Sequence, residues 1–355
     1  MNLKPGQTSQ TASSASTNQT SPIQLFELST QFRHWRFSES GLEKARKDLN
    51  EGAVGRVRAK LEEEKRAESN DTNKTGGEVQ MSTSAIEYLT VSDELSLVTF
   101  YLTKISQLCR ASFFRLPETV EATAMSYLKR FYLRNTCMDY HPKNIMLTCL
   151  FLATKTENTS ISIDSFASRI PKTSNDDVLS LEFLVAQSLR FEFKVHHAHL
   201  AARGIYLDRQ QTSLNTGTGQ QCDIELLNEH WEGVRELLKA SRLTDAEFLW
   251  TPSQIATAAW WIRDPEGITE WIRSKAQQLL MSYLPALAEL IQRAQATPVD
   301  KERVTAVDRR LRFCRNPEKD PNSALYKIKQ QQAQQEELAK QQEKNLREKV
   351  EDPFI

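Results

Sequence analysis

The sequence predicts an all-α protein made of two similar helical halves, and three observations predict it. First, a proline followed by an almost wholly apolar helical run occurs twice, 110 residues apart. The first copy is His141-Pro142-Lys143-Asn144-Ile145-Met146-Leu147-Thr148-Cys149-Leu150-Phe151-Leu152, and the second is Thr251-Pro252-Ser253-Gln254-Ile255-Ala256-Thr257-Ala258-Ala259-Trp260-Trp261-Ile262. Proline fits the first turn of a helix, where its missing N–H would have no partner. A helix apolar on all sides belongs at the centre of a bundle. Second, Leu128-Lys129 falls opposite Leu238-Lys239 in the same register, and a fixed offset is the mark of duplication. Third, apolar residues recur at helical spacing nearly throughout, and no alternating run is long enough to compete as a strand.

Residues 1–22 are Ser, Thr, Gln and Asn with little to bury, so 1–32 is read as a disordered tail. The composition changes at Arg33-His34-Trp35-Arg36-Phe37, which opens an N-terminal helix region over 33–68. Ser40-Gly41-Leu42-Glu43 matches a capping box. Leu42, Ala45, Leu49, Ala53, Val57 and Leu61 follow as a helical stripe, weakened by Gly52 and Gly55. Residues 69–91 are a loop or insertion. The first half, 92–192, holds five helices. Leu95-Val98-Leu102-Ile105-Leu108 marks one, Glu118–Leu133 the second and the Pro142 run the third. Ile163–Ile170 is a short fourth. Val178-Leu181-Val185-Leu189 is the fifth, opened by Ser174 or Asn175 as cap.

The second half, 193–296, repeats the scheme. His197–Tyr206 is its first helix, and 208–222 a Gln, Thr and Gly-rich loop. Ile224–Ala240 is the second helix, and the Pro252 run the third. Ile268–Ile272 and Lys275–Ala294 supply the last two. A C-terminal helix lies within 297–316, with Val304, Val307, Leu311 and Cys314 on one side and Arg309, Arg310, Arg312 and Arg315 on the rest. Asn316-Pro317 stops it. Residues 317–355 are a Gln/Lys/Glu-rich tail, read as a solvated helix or a disordered segment.

Composition excludes several classes. The 355 residues include 46 basic and 46 acidic ones, which argues against a general nucleic-acid coat or a polybasic membrane binder. The five cysteines, Cys109, Cys137, Cys149, Cys222 and Cys314, form no CxxC pair. Their odd count and wide spacing predict a reducing compartment and no structural zinc. No uncharged apolar stretch reaches about 18 residues, and no apolar signal core opens the chain. A soluble nuclear or cytosolic protein is expected. No GxGxxG, GxxxxGK, HExxH or GxSxG motif appears, so no catalytic residue and no cofactor is assigned. His196, His197 and His199 cluster without a nearby Cys or carboxylate, and are read as satisfied or exposed imidazoles rather than metal ligands.

Several stretches together, in order and spacing, resemble the cyclins, and within them the cyclin H type. They are Arg33-His34-Trp35-Arg36-Phe37-Ser38; Tyr127-Leu128-Lys129-Arg130-Phe131-Tyr132-Leu133; Met138-Asp139-Tyr140-His141-Pro142; Ile145 to Lys155; Leu243-Thr244-Asp245-Ala246; and Thr251 to Ala256. The resemblance covers Arg33 to Arg315. It implies two tandem five-helix cyclin boxes, over 92–192 and 193–296, flanked by N-terminal and C-terminal helices. It also implies a regulatory subunit, not an enzyme, that holds the C-helix of a cyclin-dependent kinase inward. Lys155 matches the family lysine and Glu182 the family glutamate that contact the kinase. The implied partners are the kinase of the CDK-activating complex, a RING-finger assembly factor and the core of general transcription factor IIH. Nuclear location, phosphorylation of the RNA polymerase II C-terminal domain, and no direct nucleic-acid or membrane contact follow.

Two departures separate the chain from cell-cycle cyclins. Lys129 stands where many of those carry aspartate, and Leu97-Val98-Thr99-Phe100 replaces an Arg-bearing first helix. A substrate-docking patch is therefore not expected. RxxL occurs at four places, mostly inside helices, and discriminates nothing. Rival readings are a cyclin C-type subunit of the Mediator kinase module and, in another class, a TFIIB-like factor. The latter should show a zinc ribbon and a basic surface. Trp35 and Phe37 are expected to staple the N-terminal helix in place, and Trp260 and Trp261 to pack in the core.

Overall fold

The computed structural model describes residues 25–70, 86–215, 221–275 and 281–351, and all regular elements among them are helical. A single 3-10 turn, Leu25–Leu28, leads into α1 (Thr30–His34) and the long α2 (Glu39–Asn70). The first half comprises α3 (Val91–Arg110), α4 (Glu118–Phe131), α5 (Pro142–Thr156), α6 (Ile163–Ala167), α7 (Asn175–Leu179) and α8 (Glu182–Ser188). The second comprises α9 (Ala198–Asn215), α10 (Gln221–Ser241), α11 (Ala246–Leu249), α12 (Pro252–Arg263), α13 (Pro265–Ser274) and α14 (Leu284–Ala296). α15 (Lys301–Leu311), a 3-10 turn at Pro317–Lys319 and α16 (Ala324–Glu351) follow.

Both proline-led helices are central. In α5 every residue from Ile145 to Ala153 is buried, and α3, α4, α7 and α8 surround it. In α12 Ile255 to Trp260 are buried among α9, α10, α13 and α14. Each starts as its proline predicts. His141 Nδ1 accepts from Lys143 N at 3.1 Å. Thr251 and Gln254 form a reciprocal capping box. Each half has its own apolar core. Trp260 lies at the bottom of the second core, fully buried, with its indole N–H donating to Ala202 O at 3.0 Å and its ring stacked on Trp231. Trp261 is half-buried.

Helix α4 is buried on every side from Val120 to Phe131, although it carries Glu121, Lys129 and Arg130. A buried charge is tolerated only when paired. Glu121 accepts from Ser106 Oγ at 2.7 Å and pairs with Arg110 at 3.3 Å. Lys129 crosses to the second half, donating to Thr244 O and pairing with Glu247, each at 3.0 Å. Arg242–Glu118 at 2.6 Å joins the halves further, and the two-pronged Arg46–Asp245 contact at 2.6 and 2.7 Å ties α2 to the second half. Phe37 N–H donates to Phe248 O at 2.8 Å, so Phe37 staples to the second half, while Trp35 is buried against Arg130 and Arg134 of the first.

Several expectations are corrected. The tail assigned to 1–32 is ordered from Leu25 onward: Ser29 Oγ caps Phe32 N at 3.2 Å, and Phe26 packs edge-on against Phe32 and His196. Residues 1–24 lie outside the described residues. The cap of α2 is Ser38 rather than Ser40, because Ser38 Oγ accepts from Gly41 N at 3.1 Å. The fifth helix of the first half breaks at Ser180-Leu181. The Ser174/Asp177 capping box opens a one-turn α7, and a separate α8 carries Val185 to the core. Of the expected 208–222 loop, the part to Asn215 and the part from Gln221 are helical, while 216–220 lie outside the described residues; α9 is held by Trp271 Nε1 and Lys275 Nζ on the Asp208 carboxylate, at 2.6 and 2.9 Å. Of the helix read over Lys275–Ala294, residues 276–280 lie outside the described residues, and the α-helix beyond them, α14, runs from Leu284. For 317–355 the structure chooses between the two readings: the described part is a helix from Ala324, whose N–H donates to Glu64 Oε1 at 2.8 Å, and it is mostly solvated where its side chains are described. The 69–91 loop falls largely on residues outside the description.

Both flanking regions seat on the first half. Val304, Val307, Leu311 and Cys314 are buried, as their spacing predicts, and α15 packs on α3. Arg310 pairs with Asp93 at 2.6 Å. Asn316 N donates to Met138 O at 2.9 Å, and Lys60 of α2 pairs with Glu318 at 2.7 Å.

Under this cover lies Glu94, only 9% exposed, accepting from Asn50 Nδ2 at 3.0 Å. Burial pushes its carboxyl up to about 7, against the opposing pull of the Asn50 bond. A folded-state value above the unfolded one means the protonated form is favoured by folding. The contribution is therefore full below pH about 4.5 and is lost as pH rises through about 7. Glu94→Gln is expected to gain stability relative to the parent as pH rises from 5 to 8, by on the order of 2–3 kcal/mol across that window. Paired denaturant titrations at the two pH values measure it. A difference that stays flat with pH refutes the assignment.

Candidate functional site

Lys155 sits in the last turn of α5 and Glu182 in the first turn of α8. Each charge opposes the partial charge of its own helix end, which favours both positions. α5 stops just beyond Lys155. Glu157 N returns to Ala153 O at 3.0 Å, and Asn158 takes left-handed backbone at φ 54°. The structure brings the two predicted residues together, with Lys155 Nζ in an ion pair with Glu182 Oε1. The ammonium also lies 4.7 Å from the centroid of Phe151. Both heads stay accessible, with side chains 39% and 24% exposed.

Sequence reasoning missed the apolar rim of this pair. Phe183 is 70% and Phe191 56% exposed, and their rings meet at 6.2 Å. Leu179, at 41%, is exposed at the end of α7. The signal was present. Phe183 falls off the Val178-Leu181-Val185-Leu189 stripe, so a large ring there must point outward. An accessible charge pair beside exposed aromatics has the composition of a protein-binding surface.

Other candidates have structural roles. His197 Nε2 lies 2.8 Å from Thr123 Oγ1, and burial holds its pKa well below the ordinary imidazole value. His199 stacks on it. Among the described residues no group of three or more His, Cys, Asp or Glu is placed to hold a metal. Cys109, Cys137, Cys149 and Cys314 are buried and free, and burial pushes the Cys109 thiol up to about 12. Cys222 lies among residues whose side chains are not described. In the basic cluster of the C-terminal helix region, Arg310 and Arg315 are engaged within the chain, by Asp93 and Asp320, and Arg309 and Arg312 are exposed. Leu97 and Val98 of α3 are buried and Thr99 and Phe100 half-buried. Among the described residues no helix is long and apolar enough to cross a membrane.

Comparison with known proteins gives the following. The model "Cyclin, N-terminal domain" matches residues 95–194, and "Cyclin C-terminal domain" matches 197–297. Cyclin mcs2 of Schizosaccharomyces pombe is 32% identical over 301 residues, covering 85% of this chain and 88% of that one. Cyclin CCL1 of Saccharomyces cerevisiae is 33% identical over 71% of this chain, and the match spans 61% of that protein's length. A chain of the CAK complex from Chaetomium thermophilum, bound to ATP-gamma-S, superposes with a TM-score of 0.70 at 25% identity, covering 87% of this chain and 94% of that chain. A chain of the yeast TFIIK (Kin28/Ccl1/Tfb3) complex superposes with a TM-score of 0.55 at 28% identity, covering 75% and 99%.

Proposed function

The chain belongs to the cyclin family, and on that premise we propose that it is a cyclin H-type subunit that binds and activates a cyclin-dependent kinase through the Lys155–Glu182 face. The observation that carries the reading is the accessible, oppositely charged pair set among exposed aromatics on the first cyclin box. An active kinase needs an ion pair between its ATP-site lysine and a glutamate on its C-helix. A subunit that binds this arrangement more tightly than the inactive one shifts the population towards it and needs no catalytic residue of its own. Lys155 and Glu182 pair with each other in the free chain and take up new partners on the kinase. Phe183 and Phe191 add the apolar contact that excludes water around them.

The likeness to a chain of the CAK complex and to a chain of the TFIIK complex supports membership of an equivalent assembly. In that reading the partners are the kinase, a RING-finger assembly factor in the place of Tfb3, and the core of general transcription factor IIH. The setting is the nucleus, and the output is phosphorylation of the RNA polymerase II C-terminal domain. The tagged full chain, drawn from its own cells, should capture one cyclin-dependent kinase that phosphorylates a polymerase heptad-repeat peptide. Capture of a Mediator-module kinase would favour the cyclin C-type alternative. Capture of none, with salt-sensitive DNA affinity, would favour the TFIIB-like one.

A further inference from the structure

Arg190 and Phe191, two consecutive residues with side chains, hold left-handed backbone at φ 59° and 60° directly after α8. This conformation is disfavoured wherever a Cβ is present and persists where the surroundings over-determine it. Part of the constraint is local. Arg190 N returns to Gln187 O and Phe191 N to Ala186 O, both at 2.9 Å. The turn sends the Phe191 ring outward against Phe183.

The rest of the constraint comes from α1 and the residues just after it. The Glu192 carboxylate, with its side chain only 12% exposed, lies 2.7 Å from His34 Nδ1 and accepts from Trp35 Nε1 at 2.8 Å. Arg190 Nε reaches the same carboxylate at 3.5 Å, and Arg130 Nη1 donates to the Glu192 carbonyl at 3.4 Å. Four residues on, the Gln31 side chain clamps the His196 backbone on both sides. It accepts from His196 N at 2.6 Å and donates to His196 O at 3.3 Å. The connector thus leaves α8 in a left-handed turn and runs straight into the grip of the N-terminal helix. Phe193 O meanwhile accepts from Tyr127 OH at 2.6 Å, and that hydroxyl lies 3.0 Å from Thr156 Oγ1, the neighbour of Lys155.

We propose that Glu192 is a positioning residue of the kinase face. By tying the N-terminal helix to the left-handed turn, it holds Phe191 against Phe183, so that the two rings meet the partner as one surface. The proposal rests on the kinase-binding reading above. Glu192 itself is turned towards α1, so its effect on the partner passes through Phe191.

A double-mutant cycle on the full chain tests it, with the kinase captured by the parent chain as the probe. Glu192→Ala is expected to weaken kinase affinity roughly ten-fold in the parent background. In a Phe191→Ala background the same change should cost less than about two-fold, since the ring it positions is gone. Trp35→Phe removes one donor to Glu192 while keeping an aromatic ring beneath Arg130, and should follow the same pattern with a smaller loss. Thermal midpoints are recorded throughout. If Glu192→Ala does not purify folded, Glu192→Gln takes its place and must show the same dependence on Phe191. An equal loss in both backgrounds, or no loss in either, overturns the positioning role. If the parent chain itself fails to bind any cyclin-dependent kinase, it is the kinase-binding reading that falls.

Discussion

Lys155→Ala and Glu182→Ala are each expected to weaken kinase binding by about 2 kcal/mol or more, a loss of roughly thirty-fold or greater. The reason is asymmetric. In the free chain the pair is partly solvated, and an exposed ion pair contributes only about 0–1 kcal/mol to folding. At a closed interface, truncating one member leaves the opposing charge desolvated and unpaired, which costs far more. Thermal midpoints should therefore move little while affinity falls sharply. Exchanging the charges, with Lys155→Glu and Glu182→Lys together, sharpens the reading. The swapped chain can still form the internal pair, but it presents the wrong sign at both positions and should remain defective. Calorimetric titration and peptide phosphorylation measure the outcome. Parent-like activation by both alanine variants, or recovery of binding in the swap, would sink the assignment.

Trp260→Ala is expected to destabilise the second half by about 3–5 kcal/mol. The indole is fully enclosed, donates its N–H to Ala202 O, stacks on Trp231 and lies beneath Arg209 at 5.3 Å. Removal leaves a large cavity and an Ala202 carbonyl without that donor. Because the halves have separate cores, the loss should not be shared evenly. Calorimetry should resolve a lowered first transition from a second that moves less, a departure from two-state melting. Trp260→Phe should recover part of the loss by refilling volume without restoring the hydrogen bond. A single transition shifted by less than about 1 kcal/mol would contradict the placement of this ring.

The central helices were legible because their signal is one-dimensional. A proline at the first turn and a run of apolar residues on every side admit few alternatives, and Pro142 and Pro252 both open buried helices. Lys155 and Glu182 stood out only through resemblance, since a lysine at a helix end and a glutamate at a helix start are ordinary, and the structure shows them paired with each other. What the sequence hid was relational. Nothing local marks Arg190 and Phe191 as left-handed, because neither is Gly, Asn or Asp. Glu192 looks like any surface acid until His34 and Trp35 arrive from some 157 positions away. In 208–215 the glutamines favour a helix while the threonine, serine and asparagine do not, and Asp208 adds tertiary contacts to Trp271 and Lys275 that the local sequence does not show. The early boundary at residue 32 failed for a similar reason. The polar tract ends near residue 22, and the apolar turn Leu25–Leu28 that follows packs Phe26 against Phe32 and His196.

Helix α2 reaches both halves and the C-terminal region. Arg46 reaches Asp245 in the second half, Arg56 reaches Asp139 in the first, and Lys60 and Glu64 hold Glu318 and Ala324 near the C-terminal end. It acts as a splint laid across a joint. Side-chain clamps along this helix, together with the charges of α4, hold the two boxes in addition to the covalent thread that joins them. A single protease cut between the boxes would therefore leave one particle in solution, with its fragments migrating together until denaturant releases the splint.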